Sequence, residues 1–372
     1  MQSSKKLQLV SFNIPYPPNY GGVIDVFYKI KELYQLKIDI YLHCFEYDRP
    51  QQKELEKYCK KVFYYHRSSK IKSFFSPIPF VVKNRENNLL INNLKKTNAP
   101  ILFEGLHTTF PITKTTFNVK TFVRAHNIEH NYFKGLAKSE SNILKKAFLL
   151  LESNKLKKYQ SILKKVTGVF SISPSEQKYF STQFKKKATY IPAFHNGHQS
   201  RTHKKNGSFI LYHGDLRISD NIKAAKFLID VYKDSPYQLT IASNEFTSIK
   251  NTADKHKNIH LKKIDNQKVL ETLFKEAHIN TLITFQKTGI KLKLLNALHK
   301  GKFIIGNSEM IIDTGLETLC ELANTKMEIL EKTKYLFTKE FSEVEIDNRR
   351  DLLKSFSPTE SAKKMIAIIF KQ

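Results

Sequence analysis

The sequence predicts an α/β protein built from two Rossmann-like domains in tandem, with a cleft between them. Three observations carry this expectation. Strand-like and helix-like segments alternate along the chain, the pattern that builds parallel sheets covered by helices on both faces. The alternation breaks at His195 to Ser208, a polar, Gly-bearing stretch without periodicity, and then restarts in the same order. The chain has 372 residues, more than the roughly 250–300 at which a single core stops growing. The expected organisation is a first domain over 1–195, a linker over 196–207, a second domain over 208–350 and a closing helix over 351–372.

In the first domain Leu7–Phe12 reads as a strand. The loop after it, Asn13 to Gly22, is stiffened by three prolines and ends in Gly21-Gly22, which permit close backbone approach. Val23 to Tyr34 has helical spacing. This strand, loop and helix suit phosphate approach but lack the G-x-G-x-x-G fingerprint, which disfavours a NAD or FAD site; a plain strand-to-helix turn is the alternative. Further strands are expected at Ile38–Phe45, Lys61–Tyr65, Ile101–Glu104, Lys120–Arg124 and Gly168–Ser173. Ligands of such sheets bind beyond the C-terminal strand ends, where the sequence places Asn13, Glu104, His107, Arg124, His126 and Asn127.

His126-Asn-Ile-Glu-His130 matches the H-x-x-E-H string of inverted zinc peptidases. That chemistry needs both histidines on one continuous helix. Here the string follows directly on a strand, which puts His126 in a turn and favours a polar active-site turn, with structural histidines as the other reading. Ser139 to Lys165 reads as one long lysine-rich amphipathic helix. A solvated face is the ordinary explanation and an anionic membrane surface the alternative. Ser173-Pro-Ser-Glu176 has the form of a capping box that opens another helix.

The second domain repeats this grammar. Ser208–His213 is a strand, Gly214 to Asn221 a turn and Ile222–Val231 a helix, with strands following at Tyr237–Ala242, Ile259–Lys262, Asn280–Thr284 and Lys302–Gly306. Thr281 to Gly306 parses as strand, Gly-bearing turn, helix, Gly stop and strand. The N-terminus of such a helix attracts anions through unpaired N–H groups and its dipole. Gly289, Lys293, Asn296 and Lys300 fall near one line on it; a plain solvent face is the competing reading. Ser357-Pro-Thr-Glu360 caps a last helix, and the hypothesis is that this helix packs back against the first domain.

The net charge of +28 points to an anionic partner. The lysines are scattered rather than concentrated, unlike a nucleic-acid module, so no nucleic acid is expected. No stretch nears the ~20 apolar residues of a membrane span, and the start of the chain is unlike a signal peptide. Cys44, Cys59 and Cys320 show no metal-ligand spacing. These features fit a reduced, cytoplasmic protein.

Several stretches together resemble the GT-B glycosyltransferases, specifically the family-four group of bacterial sugar transferases. They are Pro15-Tyr-Pro-Pro-Asn-Tyr-Gly21-Gly22, Arg124-Ala-His126-Asn127-Ile-Glu129-His130, Ile172-Ser-Pro-Ser and Tyr212-His-Gly-Asp-Leu. Gly289-Ile-Lys-Leu-Lys293-Leu-Leu-Asn296-Ala297-Leu-His-Lys-Gly301-Lys is similar to the family's G-x-x-x-K-x-x-E-A-x-x-x-G-K run. The resemblance implies a metal-independent, retaining transferase without cofactor. It implies a nucleotide-sugar donor held by the second domain and a glycan or lipid-linked acceptor held by the first, in cell-surface polysaccharide synthesis at the inner face of the cytoplasmic membrane. His126 and Glu104 are the implied catalytic residues. Gly21, Gly22, Gly214, Arg217, Thr288, Gly289, Lys293 and Asn296 are the implied donor contacts, with Arg217 standing in for the family's usual cations. The family's E-x7-E carboxylates fall at Thr288 and Asn296 here. That departure supports the alternative of a non-catalytic nucleotide-binding scaffold; a basic nucleic-acid binder is the remaining alternative.

Overall fold

The computed structural model describes residues 5–18, 21–68, 73–74, 76–184, 188–196, 206–286 and 291–371. The first sheet comprises β1 (Lys6–Ser11), β2 (Asp39–Glu46), β3 (Lys61–His66), β4 (Ile101–Glu104), β5 (Thr121–Ala125), β6 (Gly168–Ser171) and β7 (Ala188–Tyr190). All pair in parallel, in the order β3-β2-β1-β4-β5-β6-β7. The second sheet comprises β8 (Ile210–His213), β9 (Leu239–Ser243), β10 (Ile259–Lys263), β11 (Ile279–Leu282), β12 (Phe303–Gly306) and β13 (Glu321–Leu322), also parallel, in the order β10-β9-β8-β11-β12-β13. Strand order reverses beside β1 and again beside β8, which gives each domain a crevice at its strand ends. β7 and β13 are absent from the sequence reading because three and two residues carry no periodicity.

The main helices are α1 (Gly21–Gln35), α2 (Asn88–Lys96), α3 (Glu129–Ser139), α4 (Ile143–Tyr159), α5 (Pro174–Phe184), α6 (Ser219–Tyr232), α7 (Gln267–Glu276), α8 (Leu292–Lys300), α9 (Lys326–Phe337), α10 (Glu343–Leu353) and α11 (Pro358–Ile369). The single helix expected over Ser139–Lys165 is a correction. Helix α3 ends at Ser139, and Asn142 opens α4 by accepting the Lys145 backbone N–H at 3.0 Å. A 3-10 turn over Gln160–Lys165 then replaces the expected last turns. The N-cap signal was present in the sequence, but the lysine periodicity spanned it. α3 and α4 lie side by side, with the Ser153 hydroxyl donating to the His130 carbonyl at 2.7 Å.

The closing helix does cross back. Ala362, Met365 and Ile369 of α11 join the apolar cluster of Val26, Ile30 and Leu33 on α1, and Thr359 donates to Glu32 at 2.8 Å. The Ser357 side chain caps its start, as the sequence predicts. The expected linker at 196–207 lies largely outside the described residues. α8 is secured at its C-terminal end by the buried Arg349 of α10, which donates to the carbonyls of Leu298 (3.1 Å), Gly301 (2.8 Å) and Lys302 (2.6 Å). A guanidinium there satisfies orphan carbonyls and complements the helix dipole. The two domains meet where Ile24 of α1 and Ala193 pack against the cluster holding Leu292 and Leu295 of α8.

Candidate active site

On the first-domain side the site is built from a helix that carries two charges on its buried face. Asp25 and Lys29 lie one turn apart on α1, both fully buried, with Lys29 Nζ 2.9 Å from Asp25 Oδ2. Lys29 also donates to both oxygens of Glu104 at the end of β4, at 2.7 and 2.9 Å. Arg124, on β5, donates to Asp25 through Nη2 (2.9 Å) and Nε (3.3 Å), and to the carbonyls of Ser171, Ile191 and Pro192. The Phe194 backbone N–H adds a further bond to Asp25 at 2.8 Å. His126, in the turn after β5, has Nε2 3.0 Å from Glu104 Oε2. Its Nδ1 is buried without a hydrogen-bond partner among the described residues.

Two carboxylates and two permanent cations thus balance in a dry environment, as buried charges require. Burial alone would raise the Asp25 carboxyl. Arg124, Lys29 and His126 outweigh it and hold Asp25 well below the usual carboxylate range. Asp25, Glu104 and His126 also offer ligand atoms within 4.8 Å of one another, enough for a metal ion. The ammonium of Lys29 and the guanidinium of Arg124 already bind those carboxylates, so the donor set fits a closed ionic network better than a metal centre.

Glu104, implied as a catalytic residue, has both its oxygens engaged by Lys29. Glu104 orients His126 rather than facing the cleft. His126 stands before α3, which begins at Glu129, so His126 and His130 do not share a helix. Glu129 is itself a buried carboxyl that burial pushes up to about 8; Asn127 opposes this and Glu176 adds to it. It lies 3.6 Å from His107 Nε2, and burial drives that imidazole well below its usual range. Burial thus favours the uncharged form of both groups. In the sequence Glu129 is marked only by its place in the H-x-x-E-H string.

Gly21 and Gly22 open α1 at the mouth of the cleft. A Cβ on Gly21 would lie 3.9 Å from Leu292 of the second domain, whereas one on Gly22 would sit 2.6 Å from Phe12 Cζ. Phe12 packs edge-on against His126, with ring centroids 5.7 Å apart. Gly22→Ala is therefore expected to displace Phe12 and cost about 1–3 kcal/mol, as overpacking does, measurable by urea unfolding. A variant as stable as wild type would show that Phe12 yields freely.

On the second-domain side, α8 starts at Leu292, and among the described residues no side chain caps its first N–H groups. Thr288 and Gly289 lie outside the described residues. Lys293 Nζ donates to Asn221 Oδ1 at 2.7 Å and stands 5.1 Å from the Tyr212 ring centre. A Cβ on Gly214 would be 2.9 Å from the same ammonium, so glycine there leaves room for it. Burial lowers Lys293 to about 8, with Lys291 adding to the effect and Asp220 and Asp215 opposing it. Lys291, which donates to the Gln286 carbonyl at 2.8 Å, is likewise lowered to about 8 by burial. Lys291 lies just before the helix, off the polar stripe, and so carries no periodic signal in the sequence. Asn296, one turn beyond Lys293, is half-buried. Arg217, implied as the stand-in for the family's cations, binds Asp215 through Nε and Nη2 at 2.9 and 2.7 Å, and its side chain is 67% exposed.

Asp220 fixes the loop after β11 by accepting from the Thr284 hydroxyl (2.9 Å) and the Phe285 N–H (3.1 Å). Between the domains a cavity of about 70 Å³ is lined by Ser173, Ser175 and Tyr190 on one side and Lys291, Leu295 and Thr314 on the other. The arrangement can bind an anion at α8 and hold a polar group beside His126.

No family model matches the chain. A Klebsiella pneumoniae protein, described as an uncharacterised 44.6 kDa protein in the cps region, is 26% identical over 324 residues, covering 82% of this chain and 83% of that one. Among solved structures, S. aureus TarM in complex with fondaparinux, alpha-GlcNAc-glycerol and UDP is similar with a TM-score of 0.67 at 13% identity, covering 99% of this chain and 100% of that one. An E. coli trehalose-6-phosphate protein bound with UDP-2-fluoro glucose gives a TM-score of 0.69 at 12% identity, covering 99% of each chain. Likeness at this identity speaks to architecture. Two parallel sheets with facing strand ends, crossed by a C-terminal helix, give this chain the two-domain GT-B fold.

Proposed function

We propose that the protein is a glycosyltransferase that moves a sugar from a nucleotide-sugar donor to a glycan or lipid-linked acceptor in cell-surface polysaccharide synthesis. The observation that carries this reading is the start of α8, uncapped among the described residues, flanked by Lys291 and Lys293 and close to Gly21 of the first domain. A diphosphate there would meet backbone N–H groups, a helix dipole and two ammonium groups. The UDP in TarM and the UDP-2-fluoro glucose in the E. coli protein support a uridine nucleotide. The cps-region relative supports a surface polysaccharide.

In the proposed reaction the bond between the sugar's anomeric carbon and the diphosphate oxygen breaks, and its electron pair goes to the diphosphate. The acceptor hydroxyl oxygen bonds to that carbon on the same face, and its proton passes to the leaving diphosphate. The lysines and α8 stabilise the departing charge without a metal. His126, oriented by Glu104, would sit beside the sugar. The carrying out of the reaction at the inner face of the cytoplasmic membrane belongs to the same proposal.

A thermal-shift panel of UDP, GDP, ADP and CMP tests the binding claim. A ligand at 100 times its dissociation constant stabilises by about 2.7 kcal/mol, and a melting point moved only by oligonucleotides would refute the reading. Asn296 in place of a carboxylate favours a second reading, a non-catalytic nucleotide-binding scaffold. Slow hydrolysis of a UDP-sugar by wild type, lost in His126→Ala, separates the two. Turnover is expected to survive EDTA; loss restored by added magnesium would overturn the metal-independent step.

A further inference from the structure

Over its first turns, the face of α4 that points away from the core is apolar. Leu149, Glu152, Ser153 and Leu156 form its buried side. At 100° per residue the opposite side carries Ile143, Leu144, Ala147, Leu150 and Leu151 over the first turns. Ile143 is 81% exposed, Leu144 83% and Leu151 62%. A soluble helix ordinarily reverses this arrangement, with charge outward. Scattered single exposed leucines need no explanation, but a contiguous set opposite the buried side does.

The rim of this patch is cationic. Lys134 and Lys138 on α3 and Lys146, Lys157 and Lys158 on α4 are all exposed. Between Lys134 and Lys158 the only acidic residues are Glu140 and Glu152. Glu140 is neutralised by Lys145 at 2.6 Å, and Glu152 is buried, accepting from the Phe80 N–H at 2.6 Å. An apolar strip set in uncompensated lysine suits a surface that offers both acyl chains and negative headgroups. A second copy of this chain would bring the same lysines against each other, which charge repulsion disfavours.

We infer that the outer face of α4 docks the protein on an anionic lipid bilayer, with Ile143, Leu144, Leu150 and Leu151 entering the acyl boundary. Among the described residues no helix is long and apolar enough to cross a membrane, so this contact is interfacial. The position suits the cleft. Ser153 is bonded to His130 at the start of α3, and Leu144 lies nine residues earlier, about 14 Å along the helix axis at 1.5 Å per residue. The docked face and the turn carrying His126 are joined by one rigid helix pair.

The inference deepens the membrane-proximal acceptor reading. Vesicle binding needs no donor sugar, so its failure leaves the transferase reading standing. The test is co-sedimentation of the full chain with vesicles of equimolar phosphatidylglycerol and phosphatidylcholine, against phosphatidylcholine alone. Wild type is expected to bind the anionic vesicles at least about tenfold more tightly, and Leu144→Asp/Leu151→Asp to lose about tenfold or more. Both positions are exposed, so an unchanged melting point verifies that the variant folds. Equal binding by the double variant, or no binding by wild type, would overturn the proposal. So would a wild-type dimer in sedimentation velocity that the double variant converts to monomer, since a second copy would then be the occupant.

Discussion

Asp25→Ala is expected to destabilise the protein by about 3–5 kcal/mol, the cost of stripping a buried ion pair of one partner. Asp25 is the shared acceptor of Lys29, Arg124 and the Phe194 N–H. Its removal leaves a guanidinium and an ammonium at 0% exposure with too little negative charge nearby. Arg124, which also ties β5 to the carbonyl of Ser171 at the end of β6 and to those of Ile191 and Pro192 just after β7, loses its anchor on Asp25. Urea unfolding at pH 7 measures the effect, and a loss under 1 kcal/mol would show that the remaining Glu104 suffices, against the range above.

The acid limb gives a second reading of the same residue. Because Asp25 is held below its unfolded value, its contribution is complete above the unfolded carboxylate pKa of about 3.9 and is lost as pH falls toward the folded one. The stability advantage of wild type over Asp25→Asn should therefore shrink by about 1.4 kcal/mol per pH unit below about pH 3.9. A difference that stays constant between pH 5 and about 2.5 would contradict the sign of the shift.

Lys293→Ala is expected to weaken UDP binding by about 10–100-fold, the worth of one charge-assisted hydrogen bond to a buried phosphate. Asn221 would keep its place, because its amide also donates to the Asp215 carbonyl at 2.9 Å. The loss should appear in affinity rather than in folding. The pH dependence follows from the depressed ammonium. With Lys293 held at about 8 in the free protein, it is a cation below that pH and neutral above it. A bound diphosphate favours the cation, so UDP affinity is full below about pH 8 and falls as pH rises beyond it, by at most about tenfold per unit for each lysine that titrates. Titration calorimetry between about pH 7 and 10 stays above the second phosphate ionisation near 6. Wild type should show the decline, and Lys293→Ala a shallower one carried by Lys291. Affinity independent of pH in both would remove the phosphate role from these lysines.

Much of the fold was legible in the sequence because alternating apolar runs and caps are local signals. The parallel sheets, the restart after residue 208 and the Ser357 cap are all read from neighbours within a few residues. The break at Asn142 was also local, yet lysine periodicity on both sides of it masked the loop. The site was less legible. Lys293 could be found because it lies on the polar stripe of α8. Asp25 and Lys29 could not be assigned, since an i, i+4 pair of opposite charge on a helix is usually a solvated ornament. Their only signal was position among Val23, Val26, Ile30 and Leu33, which placed both charges on the inward side.

By itself, the sequence determined which segments become strands and helices, and hence a tandem parallel architecture with polar residues at the strand ends. Periodicity and capping are properties of a few consecutive residues, and burial follows from them. Only the tertiary structure decided which charges neutralise one another. Glu104 lies 75 residues from Lys29 and Arg124 lies 99 from Asp25. Coulombic and hydrogen-bond strength depend on separation in space and on exclusion of water, neither of which is written in the spacing along the chain. For that reason only the structure places Glu104 between Lys29 and His126, Arg217 beside Asp215, and Lys291 with Lys293 at the start of α8.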